Sequence, residues 1–207
     1  MDETTRPSPN EALRQLLIFP CNGTGLEAAG ALPDTFHCIG FVDDDERKQN
    51  REVYGFAVFT RDALARWPQA LVLAVPGSPL SFRTRRAAIE GLGLPPERFA
   101  TVIDPTARVS AFARVGRNVL VMAGVVVCAN AVIGDNVCVL PNSVIHHDSV
   151  IGDWSLVGSN VTIAGGVTVG ENCYIGSGCS VMNGLRIGDG ALLGLASCVI
   201  RDVAAGT

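Results

Sequence analysis

Lysine is nearly absent from this chain of 207 residues: Lys48 stands alone against fifteen arginines. Charged residues make up only 17% and the formal net charge is −4. Binding to a nucleic-acid backbone needs clustered Lys and Arg, so that role is excluded. Aromatics are scarce as well, at 6% against 48% hydrophobic residues, so the core must be built from small aliphatic side chains. No run approaches the ~18 apolar residues of a membrane span. The opening MDETTRPSPN lacks the apolar segment of a secretory signal. Seven cysteines (Cys21, Cys38, Cys128, Cys138, Cys173, Cys179, Cys198) have no CxxC spacing and cannot all pair. They are read as small buried residues in a reducing compartment, the cytoplasm, rather than as a zinc ribbon or a disulfide framework.

The chain divides near residue 100. In residues 1–100, short apolar runs at 16–20, 37–42, 55–59 and 70–75 read as strands, and segments beginning near Thr24, Thr60 and Ser81 read as helices. That alternation predicts a small parallel sheet of βαβ type.

Residues 101–207 follow a different rule. Stepping by six from Ile103 to Val199 meets a branched aliphatic residue at all seventeen positions. Glycine follows directly at eight of them: Gly116, Gly134, Gly152, Gly158, Gly170, Gly176, Gly188 and Gly194. Small residues such as Ser143, Ser149, Ser155, Cys173 and Cys179 recur four positions after the aliphatic. A period of six fits neither a helix nor a hairpin sandwich. It fits short strands joined by tight turns, three to a triangular coil, so that residues 18 apart stack in a parallel β-solenoid.

The repeat [Leu/Ile/Val]-Gly-x-x-x-x resembles that of the hexapeptide acyltransferases, and this resemblance implies a left-handed parallel β-helix. A βαβ unit ahead of it resembles the sugar O- and N-acetyltransferases that act on nucleotide-linked amino sugars, the bacillosamine, perosamine and sialic acid enzymes. The most specific match is SVIHHDSVIG at 143–152 followed by VTIAGGVTVG at 161–170. In the family a His-Asp or His-Glu pair sits two and three positions after an inward aliphatic, which here is His147 and Asp148. An Ala-Gly pair one coil later matches Ala164 and Gly165.

Acyl transfer from a thioester needs a base for the attacking amine or hydroxyl and a donor for the developing oxyanion. The resemblance assigns His147 as base, Asp148 as its partner, and the Gly165 backbone, beside Ala164, to the oxyanion. Glycine at 165 is expected to let the acyl donor approach the backbone. His146 is read as a surface residue. The resemblance further implies acetyl-CoA as co-substrate, held near Gly176, Ser177 and Gly194 in clefts of a homotrimer. In the first half, the glycine-rich turn Gly23-Thr24-Gly25 and the acids Asp43 and Asp44 are the candidates for binding the acceptor. The spacing of Gly23, Gly25 and Gly30 is not that of a dinucleotide fingerprint.

Several positions depart from the family pattern. A histidine of the glycine-rich loop is replaced by Thr24, a Gly-Asp-Asn by Pro76-Gly77-Ser78, an asparagine by Leu140 and a second histidine by Leu156. The relatives also continue beyond the position of Thr207 into a Gly-x-Pro-Ala segment that helps hold coenzyme A. These departures bear on the acceptor more than on acyl transfer. They leave open an acyltransferase for a non-nucleotide amine or alcohol, or a regulatory module that keeps the fold with weakened catalysis. A zinc-dependent carbonic anhydrase on the same helix would need three histidines; only His146 and His147 lie in the repeat, so no metal is expected.

Overall fold

The structure, a computed structural model, describes residues 13–207; the N-terminal segment read above for a secretory signal lies outside the described residues. The chain opens with β1 (Arg14–Phe19), α1 (Gly23–Gly30) and β2 (Phe36–Val42). It continues with β3 (Arg51–Val53), β4 (Phe56–Phe59), α2 (Ala63–Arg66), β5 (Leu71–Ala74) and α3 (Arg85–Glu90). The strands form one sheet in the order β3-β4-β2-β1-β5, parallel except for β3. β3 was not foreseen. It pairs with β4 through a two-residue turn in which both Tyr54 (φ 51°) and Gly55 (φ 81°) are left-handed, the geometry that matches strand twist in tight hairpins. α2 is a single turn and ends at Trp67, because the residue before Pro68 is pushed out of the helical region.

From Val102 the chain winds into coils of three two-residue strands. They stack into three parallel sheets, called here faces I, II and III, of six, six and five strands among the described residues. Face I holds Leu120–Val121, Cys138–Val139, Leu156–Val157 and Tyr174–Ile175 among others; face II holds Val144–Ile145 and Thr162–Ile163; face III holds Val132–Ile133 and Val150–Ile151. The second residue of each strand points inward, and Val121, Val139, Ile145, Ile151, Val157, Ile163 and Ile175 are fully buried. Each coil hydrogen-bonds to the next, for example Val126 N–H to Ser143 O and Cys128 N–H to Ile145 O, both at 2.9 Å. Buried serines four positions after the aliphatic add side-chain stitches: Ser143 Oγ donates to Gly158 O at 2.7 Å and accepts from Val161 N–H at 3.0 Å. Cys173 and Cys179 occupy the same column and donate to Gly188 O and Gly194 O.

Two kinds of position shape the corners. Three residues after the inward aliphatic, the backbone is left-handed, and Asn118, Asn130, Asn136, Asn142, Asn160 and Asn172 occupy it; asparagine tolerates this region better than other side chains. Directly after the aliphatic, glycine serves a steric purpose, since a Cβ on Gly134 would lie 2.2 Å from Asp153 Oδ1 in the next coil.

Face I differs from the others because its outer surface is covered. Val102, Leu120, Met122 and Cys138, with Leu140 and Leu156, share one apolar cluster with Leu16, Ile18, Phe41 and Leu73 of the N-terminal sheet. Asn118 ties the two together: its Oδ1 accepts from Ala74 N–H at 2.7 Å and its Nδ2 donates to Ala74 O at 3.0 Å. Among the described residues no helix is long and apolar enough to cross a membrane.

The steric role of the corner glycines predicts that Gly134→Ala lowers stability by about 1–3 kcal/mol through overpacking. Gly194→Ala, whose Cβ would meet nothing nearer than Ser197 Oγ at 3.7 Å, should leave the urea midpoint almost unchanged, and paired denaturation curves check both.

Candidate active site

His147 and Asp148 stand at the corner that leads from face II to face III, directly after Val144–Ile145. His147 Nδ1 and Asp148 Oδ2 are 2.7 Å apart, and both side chains are more than half exposed. With the Nδ1 proton directed at the carboxylate, Nε2 is left as a free acceptor. Asp148 has φ 61°, the left-handed corner position that asparagine or glycine fills in most other coils, so a carboxylate here replaces a turn-forming residue. Its second oxygen accepts from Asn130 Nδ2 at 3.1 Å, one coil below. Hydrogen bonds from His147 and then Asn130 hold the Asp148 carboxyl below the usual carboxylate range. The charge is therefore present above that depressed value and is lost only as the pH falls through it.

Gly165 lies one coil above. A Cβ there would fall 2.8 Å from both Cε1 and Nε2 of His147, so the glycine makes room for the imidazole itself, where the sequence had suggested room for an acyl donor. Ala164 N–H is bonded to Val181 O, and Gly166 N–H to His147 O at 3.0 Å, which fixes the backbone on both sides. Gly165 N–H has no acceptor among the described residues, leaving one donor unused beside the ring. His146 is half-buried and stands outside the pair; its N–H belongs to the ladder, donating to Ile163 O.

The other candidates lie elsewhere. Gly176, Ser177 and Gly194 follow face I strands and so stack on a different corner from His147 within one protomer. Gly176 is required by the coil above it, since a Cβ would lie 2.7 Å from Leu193 O. Ser177 Oγ accepts from Ser159 N–H at 3.1 Å, and Gly194 is exposed. In the N-terminal unit, Gly23, Thr24 and Gly25 form the first turn of α1, capped by Asn22, whose Oδ1 accepts from Gly25 N–H at 2.8 Å. The N–H groups of Gly23 and Thr24 have no acceptor among the described residues. Asp43 and Asp44 are already engaged. Asp43 is buried, accepting from Cys21 N–H at 2.9 Å and from Lys48 Nζ at 3.0 Å. Asp44 forms an ion pair with Arg61 at 2.7 Å. Among the described residues there is no group of three or more potential metal-ligating His, Cys, Asp or Glu side chains.

Residues 112–145 and 130–165 match the bacterial transferase hexapeptide family of six repeats. Comparison with the curated proteins gives no match. Among solved structures, the chain is similar to the acetyltransferase domain of PglB from Neisseria gonorrhoeae in complex with acetyl coenzyme A: 26% identity, TM-score 0.81, covering 94% of this chain and 95% of that one. It is similar also to PerB from Caulobacter crescentus in complex with CoA and GDP-perosamine: 26% identity, TM-score 0.81, covering 93% and 91%. WeeI from Acinetobacter baumannii, at 20% identity and TM-score 0.78 over 94% and 95%, shares the fold.

Repeat, coil and likeness define the class: an acyltransferase with an α/β unit ahead of a left-handed parallel β-helix. Within that class, the full-length likeness is to acetyltransferases of the PglB and PerB kind.

Asn130 was missed at the sequence level although it stands in the same corner column as Asp148, 18 residues earlier. Replacing it with alanine removes a hydrogen bond to the charged form, so the Asp148 carboxyl should titrate at higher pH in Asn130→Ala than in the parent, as read from its carboxyl ¹³C shift.

Proposed function

We propose that the protein transfers an acetyl group from acetyl-CoA to an amine or hydroxyl of a nucleotide-linked sugar, with His147 as general base. The observation that carries this reading is the His147–Asp148 pair lying against Gly165, whose N–H is unpaired. Bound acetyl-CoA supplies an activated acyl carbonyl. His147 Nε2 removes the proton of the attacking nitrogen or oxygen. Asp148 holds the imidazole in the required tautomer and stabilises it once it is charged, and as the C–S bond breaks the imidazolium returns its proton to the departing coenzyme A thiolate. Gly165 N–H is the donor offered to the negative charge that develops on the carbonyl oxygen, with Ala164 fixing its peptide.

The remaining assignments complete the proposal. Residues 101–207 are the acyl-transfer domain, with Gly176, Ser177 and Gly194 along the coenzyme A path. Residues 1–100 bind the acceptor at Gly23, Thr24 and Gly25, near Asp43 and Asp44. Because the coenzyme A candidates and His147 occupy different corners of the triangle, a homotrimer would let one protomer's corner meet the next protomer's, in a cytoplasmic enzyme. The sugar nucleotide as acceptor is supported by the likeness to PerB, whose structure holds GDP-perosamine. A second reading, a non-nucleotide amine or alcohol, draws on Leu140 and Leu156 in the cleft beside Thr24.

The test is release of coenzyme A thiol from acetyl-CoA with a panel of UDP-, dTDP- and GDP-linked amino sugars and simple amines. His147→Ala should lower turnover by ~10²–10⁴ with acetyl-CoA binding retained; unchanged turnover would remove His147 from the chemistry. Asp148→Asn, which preserves shape but not charge, should lower kcat more than it raises KM.

A further inference from the structure

A cavity of about 220 Å³ opens between the N-terminal unit and face I. Its lining joins Thr24 of α1, the loop Val75–Pro79, and Leu140, Leu156, Val157 and Tyr174 of the coils. The three positions Thr24, Leu140 and Leu156, far apart in sequence, and the Gly77-Ser78 pair thus meet in one place. Among the described residues no Asp, Glu, Lys or His lines the space. Of the few hydroxyls present, that of Ser78 is paired with Ser81 Oγ at 2.9 Å.

Positive charge without a counter-ion borders this apolar space. Arg85 is 1% exposed and forms no ion pair among the described residues; its guanidinium donates to Asn136 O and to Cys138 Sγ, and its Nε has no partner. It packs against the cavity wall, since Cys138 lines the cavity and a Cβ on Gly77 would lie 3.2 Å from Arg85 Cδ and 3.6 Å from Nε. On the other side, Thr24 lines the cavity at the start of α1, where its N–H and that of Gly23 have no acceptor among the described residues.

We infer that this cavity takes the acceptor's body, and that the body is an alkyl or aryl group poor in hydroxyls, attached to an anionic group such as a phosphate ester. A cavity of ~150 Å³ holds benzene, so this one holds roughly six to ten non-hydrogen atoms. Each sugar hydroxyl placed against Leu140, Leu156 and Val157 would lose water without gaining a partner, which selects against hydroxyl-rich rings. The anionic end is placed at the α1 N–H groups, with the unneutralised Arg85 charge acting on it from across the cavity. The inference rests on the reading of residues 1–100 as the acceptor-binding unit and on the second of the two acceptors above, the non-nucleotide amine or alcohol, whose chemistry it specifies.

Calorimetric titration of the whole protein without acetyl-CoA tests it, using two amine-bearing phosphate monoesters: 4-aminophenyl phosphate and glucosamine 1-phosphate. The aryl compound should bind at least tenfold more tightly. Leu140→Trp, which fills the cavity, should weaken its binding tenfold or more, and Leu156→Asn should narrow the preference between the two; thermal melts confirm that both variants are folded. Equal or tighter binding of glucosamine 1-phosphate, binding of neither compound, or aryl binding that survives both substitutions overturns the inference. Because acetyl-CoA is absent from this titration, its outcome is separate from the His147→Ala turnover test, and failure of acyl transfer would not mimic failure here.

Discussion

Everything in the second half of the chain depends on the stacking of parallel coils at an interval of eighteen residues. The ladder joins each coil's N–H groups to the carbonyls of the next, as from Val126 to Ser143 and from Val132 to Ser149. A side chain's neighbours are therefore those eighteen residues before and after it. One inserted residue would turn the inward column outward for every coil that follows. The frame places Gly165 over His147 and Asn130 under Asp148 without further devices. The geometry of the candidate site is a by-product of register, and the rigidity of the coil supplies the preorganisation that a loop-borne site would lack.

The N-terminal unit breaks the threefold likeness of the faces. By covering face I it converts outward positions such as Leu120, Met122 and Cys138 into core, while faces II and III keep Arg108, Thr162, Ser180 and Arg186 turned away from the inward column. Asn118 shows how the two architectures are joined. It occupies a turn corner, yet its amide acts as one more rung on the edge of β5 and also donates to Asn136 Oδ1 at 2.9 Å. A buried amide with its donors and acceptor all matched fixes the relative placement of the two units more strictly than apolar contact alone would.

Much of this was legible in the sequence. The seventeen-step aliphatic column states the coil directly, since a core only one side chain wide leaves no freedom in period. His147, Asp148 and Gly165 were singled out by the resemblance, and the coil interval is what sets Gly165 above His147. What escaped depends on contacts that a period does not encode. Gly165 was read as clearance for a ligand, whereas the structure has the His147 ring in that space. The corner column that holds six asparagines was not recognised as the left-handed position, and with it Asn130 was overlooked. In the first half the strand pattern was sound, but the β3–β4 hairpin was missed because Tyr54 is an unusual residue for a left-handed turn position. The cleft of Thr24, Leu140 and Leu156 required the two units to be seen together.

Lys48, the only lysine, donates to Cys21 O at 2.8 Å and to Asp43 at 3.0 Å, pinning the loop before α1 to the end of β2. All other cationic side chains are guanidinium groups, which stay protonated and do not attack thioesters. An enzyme that handles activated acyl groups is exposed to modifying itself wherever it carries a side-chain amine. This chain offers one such side-chain amine, already committed to two partners, so it presents almost no lysine amine for its own proposed co-substrate to acylate.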